Sequence, residues 1–181
     1  MSWRREQQDA PGLSRRQVLA AAGCALLLAP VVSACQPLYG RTQSGARLKD
    51  VMAGLKVTEI PGRVGQKVRN ELIFATAGGG RTADVQYRLD ISVRESVSNT
   101  LVDLAGDVQG QLYNLDAQFK LVRLADNQMV LQGKSAGRAA FDWFDSSFTN
   151  TRARINAENR AARVVADGIR TRVAAFLSST A

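Results

Sequence analysis

Histidine is absent from this chain of 181 residues, and cysteine occurs only at Cys24 and Cys35. The first absence removes the commonest general acid–base side chain. The scarcity of the second leaves few thiol nucleophiles, and together they remove the usual zinc ligands. Carboxylates remain, and Asp142 and Asp145 lie either side of Trp143 and Phe144. Two acids beside aromatics can serve glycoside hydrolysis, but a solvated corner carrying Asp, Ser and aromatics is the ordinary meaning of such a segment. No catalytic or metal-binding residues are therefore expected, and the chain reads as a binding or scaffolding protein rather than an enzyme.

Charge is missing altogether from Val18 to Ala34, a run of Ala, Leu and Val broken by Gly23 and Pro30. Those 17 residues fall short of the roughly 20 that cross a bilayer as a helix. Arg4, Arg5, Arg15 and Arg16 precede them and small residues end them, the layout of a cleaved export signal. The closing Val32-Ser33-Ala34-Cys35 has the form of a lipobox: small side chains admit the peptidase, and the thiol of Cys35 carries the diacylglyceryl group. Residues 1–34 are read as a lipoprotein-type signal peptide, with Cys35 as the lipidated first residue of the mature chain. Ser14-Arg15-Arg16-Gln17-Val18-Leu19 also has the paired arginines of a twin-arginine signal. Val18 stands where an aromatic is more typical and no Lys follows, so the export route stays open between the two systems.

Cleavage leaves 147 residues, Cys35 to Ala181, with 20 Lys and Arg against 14 Asp and Glu. One domain of that length can bury a real core. With Cys24 removed and Cys35 acylated, no disulfide can form, so packing alone must hold the fold. A basic domain attracts nucleic acid, anionic membranes or anionic ligands; export argues against nucleic acid. Diacylglycerol plus an amide-linked acyl chain on Cys35 exceeds the single chain that binds membranes only marginally. Gln36 follows in place of the Asp that usually retains lipoproteins at the inner membrane, which favours the outer membrane. No other cofactor is expected.

Residues 35–46 form a lipidated tether, broken by Pro37, Gly40 and Gly45, before a single domain over 47–181. A first strand is expected over residues 48–60, stopped by Pro61-Gly62. Val64, Val68, Leu72 and Ala75 recur at helical spacing over 63–76, and Gly78-Gly79-Gly80 closes that helix. Tyr87, Leu89, Ile91 and Val93 alternate with polar residues, as do Tyr113, Leu115, Ala117, Phe119 and Leu121. A polar turn at 125–128 makes the second of these strands a hairpin with the next, over 129–142, whose Met129, Leu131 and Phe141 share a face. Ile155, Ala162, Val165, Ile169, Val173 and Phe176 form the apolar stripe of a final helix over 151–177. Its other face carries Arg152, Arg154, Arg160, Arg163, Arg170 and Arg172. The expected fold is α+β, with two helices packed on one face of a four-stranded, mostly antiparallel sheet.

Cys35-Gln36-Pro37-Leu38-Tyr39-Gly40 resembles the mature start of the LptE type of LPS-assembly lipoprotein, in which Cys is followed closely by Pro-Leu-Tyr-Gly. Gly65-Gln66-Lys67-Val68-Arg69-Asn70-Glu71-Leu72 is similar to that family's first helix, with its Arg-Asn-x-Leu element. The order of elements and the Arg- and Ala-rich last helix agree across nearly the whole mature chain. Here Gln36 alone separates Cys and Pro, where relatives often carry Gly and a further residue. The resemblance implies a non-enzymatic outer-membrane lipoprotein facing the periplasm and the barrel lumen. Such a protein plugs the LPS-translocating β-barrel LptD, assists its assembly and binds lipopolysaccharide on its way to the outer leaflet. Another periplasm-facing binding or scaffolding lipoprotein is the alternative. Strand alternation places Arg88, Arg94, Lys120, Lys134 and Arg138 away from the apolar face, which makes them the candidate contacts for the anionic lipopolysaccharide. Arg160, Arg163 and Arg170 of the last helix compete for that role.

Overall fold

The structure, a computed structural model, describes Gly40, Thr42 and residues 45–77, 84–102, 106 and 108–180. The signal segment, Cys35 and Gly78-Gly79-Gly80 lie outside the described residues. The elements run α1 (Leu48–Ala53), β1 (Leu55–Val57), α2 (Arg63–Ala77), β2 (Tyr87–Val102), β3 (Val108–Arg123), β4 (Gln128–Asp142) and α3 (Ser147–Thr180). They build one four-stranded sheet in the order β1-β2-β3-β4. β1 is parallel to β2, and the other two pairings are antiparallel.

The long first strand expected over 48–60 is not there. Its start is a short helix and its middle a strand of three residues. Leu48 and Met52, both buried, stand four apart on one helical face, and that period outweighs the weaker alternation of Val51, Leu55 and Val57. α1 stops at Gly54, whose N–H returns to Asp50 O and Val51 O. β1 then pairs as Leu55–Tyr87 and Val57–Leu89, and α2 carries the chain back so that β2 can run parallel to it.

α2 buries Val64, Val68, Leu72 and Thr76, while Ala75 of the expected stripe is exposed. Thr76 takes the inner place because its hydroxyl donates to Leu72 O at 2.8 Å, which satisfies it without water. Ser146 precedes α3, and its Oγ accepts the Thr149 N–H at 3.5 Å as an N-cap. Its inner face buries Ala157, Ala161, Ala162, Val165, Ala166, Ile169, Val173, Ala174 and Leu177. The alanines let the helix lie close to its neighbours, and each buried Val, Ile or Leu contributes about 1.5–3 kcal/mol. Facing them are Leu89 and Ile91 of β2, Tyr113, Leu115, Ala117, Phe119 and Leu121 of β3, and Ala139 and Phe141 of β4.

β3 and β4 turn at residues 124–127, where Asn127 takes φ 55°, a conformation Asn tolerates. Past the turn, Leu121 pairs with Leu131 but Val122 pairs with Met129, so Val130 is an extra residue in β4. That bulge moves Met129 off the inner face expected for it and leaves it 51% exposed. The result is a two-layer α+β domain: helices cover one sheet face, and the other is open.

Candidate functional site

The open face collects the even-numbered residues of all three long strands. Strand register stacks them in rows: Asp90–Lys120–Gln132, Ser92–Gln118–Lys134, Arg94–Asp116–Ala136 and Ser96–Asn114–Arg138. Arg88 lies at one end, opposite Val122. All five candidate basic residues thus share the face opposite the helices, among Ser, Gln and Asn that can add neutral hydrogen bonds.

Two carboxylates interrupt the positive charge. Arg88 Nε lies 3.2 Å from both oxygens of Asp90, two residues along the strand, and so is engaged. Arg94 stands directly across from Asp116. The two lysines, Lys120 and Lys134, are exposed and belong to adjacent rows. A cavity of about 600 Å³ lies between them, lined by Asp90, Ser92, Gln118, Gln132 and Thr58 as well as both lysines. A second, of about 740 Å³, is lined by Arg94, Asp116, Ala136 and Arg172 and shares Ser92, Gln118 and Lys134 with the first. The two make one trough along the sheet. Arg88 and Arg138 do not line it.

Arg172 is the residue that a reading of the sequence assigned elsewhere, to the outer face of the last helix. It reaches the trough because α3 is drawn tightly onto β4, the edge strand. Gly137 makes that approach possible: a Cβ there would fall well inside contact with Ala161 O, and 3.1 Å from Val165 Cγ2. Ser135 Oγ donates to Val165 O at 3.2 Å, and Arg160 donates to Ala140 O at 2.6 Å. Arg160 and Arg170 of the competing helical set are thereby occupied, the second at 3.6 Å from Asp167; Arg163 is exposed. No sequence signal marks Arg172, since only the crossing of helix and edge strand brings it there.

Residues 133–137 read Gly-Lys-Ser-Ala-Gly, the spacing of a hydrolase nucleophile elbow. The structure gives this motif a structural use. An elbow places its serine on a sharp strand-to-helix turn, whereas Ser135 lies inside β4, 8% exposed, with its hydroxyl spent on Val165 O. Asp142 and Asp145 are exposed at the β4–α3 corner and line neither cavity.

Under the helices sits a polar cluster. Glu158, its side chain 8% exposed, pairs with Arg154 at 3.0 Å and with Arg63. Nearby, the buried Tyr113 hydroxyl donates to Glu95 Oε2 at 2.7 Å. Burial, then that hydrogen bond and the charge of Glu95, push the phenol above its ordinary range, against the opposing pull of Arg154 and Arg63. The cluster ties α2 and α3 to each other and lines neither cavity of the trough.

No family model matches the chain, and no curated protein matches it. Solved structures do. A candidate lipoprotein from Caulobacter crescentus CB15 aligns over 72% of this chain and 95% of its own, with TM-score 0.59 and 20% identity. The chain shares the fold of that protein. Rare lipoprotein B from Shewanella oneidensis aligns over 67% of this chain and 92% of its own, with TM-score 0.51 and 12% identity. At such identities the likeness is one of fold.

Proposed function

We propose that this chain is an outer-membrane lipoprotein, anchored through Cys35, that binds lipopolysaccharide on its open sheet face and plugs an LptD-type β-barrel. The observation that carries the ligand reading is the trough. Lys120, Lys134, Arg94 and Arg172 converge on a face that the protein's own helices leave bare. Phosphates on lipopolysaccharide suit ammonium and guanidinium donors, which make charge-assisted hydrogen bonds. Gln118, Gln132 and Ser92 between them offer neutral partners to sugar hydroxyls. The role needs binding, with no chemical step. The lipobox and a fold shared with two proteins named as lipoproteins support the anchored, envelope part of the reading.

The test compares Lys120→Glu/Lys134→Glu with Arg163→Glu in the full-length lipidated protein. Both should fold. The strand variant should lose lipopolysaccharide binding, and the wild-type affinity should fall between low and high salt, since exposed charges are screened. Normal binding by the strand variant with loss in the helix variant would move the ligand to the helix. Affinity purification of the tagged chain should bring down a large outer-membrane barrel. Its absence would favour a scaffolding lipoprotein that meets other partners.

A further inference from the structure

One end of the domain carries an apolar rim that the proposed ligand trough does not use. There the Gln86 N–H donates to Gly54 O at 3.1 Å, and Gln86 O accepts the Leu124 N–H at 3.0 Å. The starts of β1 and β2 and the β3–β4 turn therefore meet, and α2 returns the chain to the same end because β1 and β2 are parallel. Five large apolar side chains are exposed around it: Ile73 at 36%, Phe74 at 73%, Val85 at 41%, Leu124 at 40% and Met129 at 51%. Two of its carboxylates, Asp50 and Asp126, are paired with Arg47 and Arg123. Lys49, next to Asp50, and Lys56, across from Arg88, are exposed, as is Asp84 next to Val85.

The path of the chain says what covers this rim. Leu48 N–H donates to Gly40 O at 3.3 Å, Thr42 N–H donates to Ala46 O at 2.8 Å, and Thr42 is buried. The leash is therefore tied down as far back as Gly40, just ahead of α1. Only five peptide links separate Gly40 from Cys35, which span at most about 17 Å. β2, with 16 residues, is about 50 Å long. An acylated Cys35 thus keeps the rim within reach of its bilayer, while the Trp143–Phe148 end of the sheet stands far beyond that leash.

We infer that this rim docks on the lipid surface that holds the Cys35 acyl chains. Phe74 and Met129, with Ile73, Val85 and Leu124, enter the boundary between headgroups and acyl chains, the depth at which apolar faces of peripheral proteins rest. Lys49 and Lys56 meet anionic headgroups. The inference rests on the lipoprotein part of the reading above and concerns the anchored domain outside a barrel lumen, where it fixes which end faces the membrane.

The cleaved, acylated chain has no free thiol, so single cysteines label uniquely. Phe74→Cys, Met129→Cys and Trp143→Cys are made in the full-length protein, purified from membranes, labelled with an environment-sensitive fluorophore and reconstituted in phosphatidylethanolamine–phosphatidylglycerol vesicles. Fluorophores at positions 74 and 129 should shift to the blue and lose most of their emission to a shallow lipid-borne nitroxide, with little response to aqueous iodide. Position 143 should show the reverse. If positions 74 and 129 answer iodide as strongly as 143 does, the rim is not docked and the inference fails. Shielding from both quenchers would mean that a protein surface covers the rim, which also overturns it. Mass spectrometry of the N-terminal peptide separates the two levels: an unacylated peptide removes the lipoprotein reading itself, and the inference with it.

Discussion

Substituting Gly137 by Ala asks whether the close seat of α3 on β4 is real. The added methyl would meet Ala161 O well under the 3.0 Å that Cβ contacts respect, with Ala161 C and Val165 Cγ2 both at 3.1 Å. The first obstacle is helix backbone, which cannot swing aside, so α3 must lift from the edge strand. Overpacking of this kind costs about 1–3 kcal/mol. Against it, Ala restricts the unfolded chain and returns about 0.4–1 kcal/mol. The expected net loss is about 1–2 kcal/mol, a fall in melting temperature of about 2–8 °C for a domain of this size. Gly168→Ala is the contrast. Its Cβ would meet only Ser135 Oγ, at 2.5 Å, and a hydroxyl can rotate. The helix gains about 1 kcal/mol from losing an interior glycine, roughly cancelled if the Ser135 hydrogen bond to Val165 O is lost. Thermal melts of the two purified variants should therefore separate. A Gly137→Ala protein that melts at or above wild type, or a Gly168→Ala protein that falls by the same amount, would refute the packing argument.

Ile169 is fully buried, so Ile169→Ala should cost about 2–5 kcal/mol in a urea titration; a wild-type midpoint would show that the helix is seated on another face. Tyr113 has its phenol raised in the folded protein, so the fold favours its neutral form. That contribution is complete below the unfolded value of about pH 10 and drains away as pH rises above it toward the folded value. Tyr113→Phe should accordingly flatten the loss of melting temperature above about pH 10, and an unchanged alkaline slope would disprove the assignment. Cys35→Ser should leave an unprocessed precursor without acyl chains and without loss of fold. A wild-type N-terminus that starts elsewhere, seen by mass spectrometry, would count against the lipobox.

Strict alternation in β3 already told which side chains are inside, because a strand offers only two faces and Tyr113, Leu115, Ala117, Phe119 and Leu121 can share only one. The stripe Val165, Ile169 and Val173 did the same for α3, and the absence of histidine narrowed the chemistry before any fold was known. The same alternation set Arg88, Arg94, Lys120, Lys134 and Arg138 on one face, since local period depends on no distant partner. Tertiary structure decided what depends on partners. Residues 48–53 became a helix because Leu48 and Met52 find a core to enter, although the segment has strand-like residues as well. Met129 left the core through a bulge that only the pairing of Leu121 with Leu131 and Val122 with Met129 creates. Arg88 was spent on Asp90, and Arg172 entered the trough from a helix. Such outcomes turn on strand register and on how closely two backbones approach, and both are set by contacts between segments far apart in the chain.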